Sequence, residues 1–254
     1  DESFILYSLQ VDTLEVIETP LIVLPSNVDA RIGVLVDQVD YSDFTVKPLS
    51  AFLTLKDRTL QLSEGRIDTE LGDINLDAFY SARSRDDISA GFNLSVLDVS
   101  ADSLIHLLPS VDSLMPVLKS FKGRLNCEAS AMTQIDTNMN VIIPSLEGVL
   151  HISGSDLNVE DAGGIVKITK LLRFKNPNIG HIDDLDVNAV IHDSKLDVFP
   201  FILGVDRYRL ALHGMQGLDK TMYYHASIIK SPFLVKLGIN VFGTFAKWKF
   251  NIVL

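Results

Sequence analysis

Along most of this chain, apolar and polar residues alternate one for one. Val28, Ala30, Ile32, Val34 and Val36 share one parity, against Asp29, Arg31 and Asp37. Ile74, Leu76, Ala78 and Tyr80 alternate with Asn75 and Asp77, and Ile88, Ala90, Phe92, Leu94 and Val96 with Ser89, Asn93 and Ser95. Leu125, Cys127, Ala129 and Ala131 alternate with Arg124, Asn126, Glu128 and Ser130. Leu185, Val187, Ala189 and Ile191 follow the same rule, then Tyr208, Leu210 and Leu212, then Tyr224, Ala226 and Ile228. The run Thr244, Ala246, Trp248, Phe250 and Ile252 reads as one closing strand. Strands of this kind have one dry and one wet face, the mark of antiparallel sheet.

A shorter pattern recurs inside this alternation. "TLKDRTLQL" (Thr54–Leu62), "HISGSDLNV" (His151–Val159) and "VIHDSKLDV" (Val190–Val198) each carry an apolar residue, then Leu five positions on, then an apolar residue two further. Small or charged residues fill the middle, so each is expected to be a strand, a four-residue turn and a returning strand.

Two segments depart from period two. In Asp102 to Phe121, Leu104, Leu107, Leu108, Val111, Leu114, Leu118 and Phe121 fall three and four apart, which is helical spacing. Pro109 and Pro116 divide that stretch into two short helices. Ile165, Ile168, Leu171 and Leu172 make a second stripe, with Asp161 as its N-cap, and Ser231-Pro232 is a third candidate helix start. The fold expected is mostly β with a few short helices: a strongly curved antiparallel sheet, as a taco-like groove or partly open barrel. Residues 1–254 are expected to form a single elongated β domain, with Met139 to Gly148 as a joint between two similar halves, 1–143 and 144–254.

Such a sheet must cover its apolar face. It closes on itself, or helices plug it, or part of the face stays open for an apolar guest. Composition narrows the field. Apolar residues make up 47% of the 254, which excludes disorder. The net charge of −11 repels phosphate, so nucleic acid is not an expected partner, and anionic headgroups find no basic patch. The single Cys127 leaves no intramolecular disulfide. No apolar run approaches the roughly 18 residues of a membrane span. The opening "DESFILYSLQVDTLEV" reads as strand interior, without a basic start before an apolar stretch. The chain is therefore expected to be a piece of a longer protein, with any anchor outside it.

From Leu146 to Leu254 the order of short motifs resembles the C-terminal region of the AsmA-like proteins of Gram-negative envelopes. "LEGVLHISGSDLNVED" precedes the helical "AGGIVKITKLLRF"; then come "IDDLDVNAVIHDSKLDV", "YRLALHGMQGLDKTMYYHASI" and the close "VFGTFAKWKFNIVL". Gly214 and Gly217–Leu218–Asp219 match one family element, and Phe242–Gly243–Thr244 another; Lys247–Trp248–Lys249 stands where a proline is common. "SADSLIHLLPSVDSLMPVLKSFKGRL" is similar to the family's helix-then-"G-x-L" passage. The resemblance covers roughly the last 155 residues, and the first 95 only by strand pattern. It implies a non-enzymatic periplasmic protein, tethered to the inner membrane by an N-terminal segment and related to bridge-like lipid transfer proteins. It also implies a role in phospholipid transport and outer-membrane biogenesis, with acyl chains in an apolar groove.

The lipid-contacting candidates are dry-face positions: Leu185, Val187, Ala189, Ile191, Tyr208, Leu210 and Leu212. In a closed β scaffold or adhesion module without lipid, the alternative reading, the same residues are core. No catalytic residue, metal site or cofactor is expected. His106, His151, His181, His192, His213 and His225 show no short metal spacing; antiparallel pairing allows the wet-face His192, His213 and His225 to approach one another, but solvated single histidines are the expectation. Asp183, Asp184 and Asp186 lack the calcium-loop spacing. Gly163-Gly164 reads as a helix entrance, and no nucleophile elbow, phosphate loop or dinucleotide fingerprint occurs.

Overall fold

The computed structural model describes residues 22–41, 44–46, 49–69, 72–101, 103–104, 121–159, 181–205, 208–230, 237–244 and 246–253. Its strands are β1 (Ala30–Val36), β2 (Val39–Tyr41), β3 (Phe44–Val46), β4 (Leu49–Lys56), β5 (Thr59–Thr69), β6 (Gly72–Ser84), β7 (Asp87–Ser100) and β8 (Phe121–Lys122). The chain continues as β9 (Arg124–Gln134), β10 (Glu147–Val159), β11 (His181–His192), β12 (Lys195–Val205), β13 (Tyr208–Gly217), β14 (Thr221–Lys230), β15 (Gly238–Thr244) and β16 (Lys247–Val253). Apart from the small β2–β3 hairpin, these form one 14-stranded antiparallel sheet in the order β1-β4-β5-β6-β7-β9-β10-β11-β12-β13-β14-β15-β16, with β8 pairing to β10. Among the described strands the sheet is open, with β1 and β16 at its two edges.

Neighbours in sequence are neighbours in the sheet because tight turns join them. Asp57 and Arg58 (φ 47° and 58°) sit between the partners Lys56 and Thr59. Asp193 and Ser194 (φ 47° and 60°) sit between His192 and Lys195. Two successive left-handed residues make the turn whose twist matches the strands it joins. Two of the three recurring motifs are thus hairpins. The third is not. "HISGSDLNV" lies wholly within β10, whose register with β11 runs unbroken from Gly148↔Ile191 to Asn158↔His181. Only one residue there, Asp156 (φ 53°), is left-handed. One such residue makes a bulge where two make a reversal. The slip falls on the other edge of β10, between Gly154↔Leu125 and Asn158↔Lys122, where Gly123 has φ 136°.

The end of the chain also corrects the sequence reading. Thr244 and Lys247 are cross-strand partners, so the run read as one closing strand is a hairpin of β15 and β16. Of Met139 to Gly148, residues 139–146 lie in the link from β9 to β10, with a 3-10 turn at Ile143–Ser145, and Glu147 and Gly148 open β10. Of the expected helices, Ala101, Ser103 and Leu104 are helical. The rest of that stretch up to Phe121, with Pro109 and Pro116, lies outside the described residues, as do the stripe from Ile165 to Leu172, Asp161, Gly163-Gly164, and Ser231-Pro232.

Register slips occur at Ser50/Phe52, Leu62/Gly65, Ala82/Ser84, Val96/Val99, Val198/Phe201 and Arg209/Leu210. Glu64 and Asp98 (both φ 53°) occupy two of them. Their backbone N–H groups donate to the neighbouring strand's side chains, Asp77 Oδ1 and Asn126 Oδ1, each at 2.9 Å. Arg124 adds an ion pair to Asp98 Oδ1 at 2.5 Å. The extra residue in each bulge is thereby held, since its amide no longer has a ladder partner.

The core lies on one face of the sheet. A first cluster runs from Ile74 on β6 to Val198 on β12, and Leu104 and Phe121, from the connection between β7 and β9, pack into it. A second holds Tyr208, Leu210, Ile228 and Ile239. Leu203 packs against both clusters.

Candidate functional site

Pairing assembles the dry face row by row. Leu76↔Leu94↔Ala129↔Leu150↔Ala189↔Val198 crosses six strands. The same row continues as Gly214↔Tyr224↔Val241↔Phe250 to the edge. Every member is apolar or glycine except Tyr224, whose hydroxyl is 3.5 Å from Gln216 Oε1 and is pushed up to about 12 by burial. Gly214 is the one gap in the row, and the Tyr224 ring occupies the space a side chain there needs.

The seven positions singled out from the sequence all fall on this face. Leu185, Val187 and Ala189 are buried in the first cluster, opposite Gly154, Ile152 and Leu150, and Ile191 packs against its rim. Tyr208 and Leu210 are buried in the second cluster, and Leu212 packs against it. β12 separates the two groups, and Phe201 and Leu203, the partners of Leu212 and Leu210, bridge them. The face is sealed at its centre and accessible at its margins. Cys127 is 0% exposed, whereas Phe92 is 40%, Phe250 43% and Ile252 51% exposed. Burial, with the Glu128 charge adding to it, pushes the Cys127 thiol up to about 11, so this sulfur stays protonated and unreactive at neutral pH.

The opposite face carries two polar rows. Asn75↔Ser95↔Glu128↔His151↔Asn188 crosses β6, β7, β9, β10 and β11. Beside it runs Asp77↔Asn93↔Ser130↔Val149↔Val190. Over them lie two adjoining open concavities of about 510 and 470 Å³, which share Asp77, Asn93, Ser130 and Val149. His151 Nε2 is 3.1 Å from Asp186 Oδ1, which also accepts from Asn188 Nδ2 at 3.1 Å. Glu128 Oε2 is 3.8 Å from the other nitrogen of His151. Sequence reasoning placed these side chains on wet faces but did not bring them together. Register joins Asn75 to Asn188 across more than a hundred residues of chain. One signal was available: the adjacent apolar pairs Val149-Leu150 and Val190-Ile191 break the alternation, and Val149 and Val190 stand on the polar face for that reason.

The other histidines are held singly or in pairs. His213 and His225 are cross-strand partners with ring centroids 5.4 Å apart, and His225 Nδ1 is 2.6 Å from Asn240 Oδ1. His192 is elsewhere, with Nδ1 3.1 Å from Asp193 Oδ2 and Nε2 2.7 Å from Asp197 Oδ2; these bonds raise its pKa. His181 lies between Asp156 and Asp183 at 3.7 and 3.5 Å. His106 is outside the described residues. Among the described residues no three His, Cys, Asp or Glu side chains converge on a metal position, and no helix is long and apolar enough to cross a membrane.

No family model matches the chain, and comparison with curated proteins and with solved structures returns no match.

Proposed function

We propose that this chain is a non-enzymatic envelope protein of the AsmA-like kind, whose dry sheet face forms a curved groove for phospholipid acyl chains. It acts in the periplasm, joined to the inner membrane by a segment outside residues 1–254, and contributes to phospholipid transport and outer-membrane maintenance. The observation that carries this reading is the apolar row from Leu76 to Phe250. Ten strands at about 4.8 Å spacing make a strip of about 40 Å, longer than the roughly 30 Å hydrocarbon thickness of a bilayer.

Curvature is supported by the six register slips, because each bulge bends its strand and sharpens the local twist. Access is supported by Phe250 and Ile252, exposed on the dry side of the open edge strand β16. An acyl chain laid there gains about 0.8 kcal/mol per methylene removed from water, with no requirement for a charged pocket.

A second reading, a β scaffold with a solid core and no lipid, is favoured by the complete burial of Cys127, Leu157 and Leu196. Mass spectrometry of the gently purified protein separates the two. Co-purified phospholipid, lost in Phe250→Glu/Ile252→Glu with the fold intact by circular dichroism, supports the groove. Lipid-free protein that takes up no apolar dye supports the scaffold. Val187→Asp and Leu210→Asp add a further test: loss of lipid with folding retained indicates a groove lining, and unfolding indicates packed core.

A further inference from the structure

We propose that the polar face of β6, β7, β9, β10 and β11 is a binding surface for a neutral linear oligosaccharide, laid across the strands. This site is on the face opposite the apolar row, and the inference stands without the lipid reading. Its floor is the pair of adjoining concavities of about 510 and 470 Å³, which form one trough because they share four lining residues.

The chemistry of the trough selects the ligand. Asn75, Asn93, Ser95 and Ser130 offer amides and hydroxyls that, among the described residues, bond to no other protein group. These are the donors and acceptors that match sugar hydroxyls. Other members are held in place: Asp77 accepts from the Glu64 N–H at 2.9 Å, and His151 and the Asn188 amide are each 3.1 Å from Asp186 Oδ1. Among the described residues neither concavity is lined by a lysine or arginine, while Asp77, Glu128 and Glu147 bring negative charge. A phosphate or uronate chain is therefore repelled, and an uncharged one is not. Apolar surface is present where the C–H face of a sugar ring needs it: Val149 is 54% and Phe199 47% exposed on this side.

Geometry sets the direction. Equivalent side chains in each polar row recur at the strand spacing of about 4.8 Å, which is comparable to the rise of one unit in an extended hexose chain. A ligand crossing the strands meets a hydrogen-bonding side chain at every unit of the first row, and at the first three units of the second before the apolar Val149 and Val190. A ligand running along one strand meets side chains of that face only at every second residue, at a longer repeat.

The test is calorimetric titration of the 254-residue chain with cellohexaose, maltohexaose and, as the anionic control, a galacturonic acid hexamer. Saturable binding of a neutral hexasaccharide is expected, weakened about tenfold by Ser130→Ala, by Asn93→Asp and by Phe199→Ala, with no binding of the acid. Thermal melts verify that each variant folds; Ser130→Ala removes one oxygen from an accessible site and is the variant on which the comparison rests if another fails. Failure of both neutral chains to bind, unchanged affinity in Ser130→Ala, or tighter binding of the acid overturns the proposal.

Discussion

Cys127 and Ile152 face each other across β9 and β10, and neither is reached by water, at 0% and 1% exposed. They occupy the middle of the dry face, where the neighbours Val96 and Val187 extend the row on either side. Truncation of Ile152 to alanine leaves a cavity that fixed strands cannot close, and is expected to cost about 2–5 kcal/mol in a urea melt. The thiol supplies a second readout. With its pKa pushed up to about 11, Cys127 is expected to resist iodoacetamide at neutral pH in the native protein and to react fully once the chain is unfolded.

Gly214 and Tyr224 form another cross-strand pair with a checkable consequence. A Cβ at Gly214 collides with the Tyr224 ring and comes within 2.5 Å of the Tyr223 carbonyl oxygen. The carbonyl belongs to the β13–β14 ladder and stays in place even when the ring is removed. Gly214→Ala is expected to destabilise by about 1–3 kcal/mol, and adding Tyr224→Ala is not expected to restore the loss. Chemical denaturation of the single and double variants measures both.

The β11–β12 turn is pH-sensitive. Hydrogen bonds that the His192 ring donates to the carboxylates of Asp193 and then Asp197 raise its pKa above the ordinary 6.5. A group whose folded pKa is raised contributes stability that is fully present below the unfolded pKa and is lost as pH rises through the folded one. The contribution of His192 is therefore expected to fade on going upward from about pH 6.5. An NMR titration in Asp197→Asn is expected to show the His192 midpoint moving down toward the ordinary value.

Ser194 carries a φ of 60° in the same turn, a conformation that a Cβ disfavours by about 1–2 kcal/mol. Ser194→Gly relieves that strain but loosens the unfolded chain, so a net gain of about 0.5–1 kcal/mol is expected in thermal unfolding. The equivalent change at Ser155, inside β10 and without positive φ, is expected to destabilise instead.

Much of the sheet was legible because period two is written into single strands. The runs from Ile74, Ile88, Leu125 and Leu185 each name their own dry face, and all four occupy it. The hairpins at Asp57-Arg58 and Asp193-Ser194 were legible because their turns are local. "HISGSDLNV" was misread because its composition suits a turn and a bulge equally; the two ladders already flanking β10 leave it straight. The final hairpin was missed because Thr244 to Ile252 keeps its alternation across the reversal.

The amino-acid sequence by itself determined that these strands exist and which side of each avoids water, since burial of alternate side chains follows from strand geometry alone. Only the tertiary structure decided the register in which those strands meet. The β13–β14 register brought His213 onto His225, His192 was left apart, and registers summed over five strands aligned Asn75 with Asn188. Hydrogen bonds between strands are made by backbone common to every residue, so their choice of partner is set by the packing of the whole sheet rather than by any one strand's side chains.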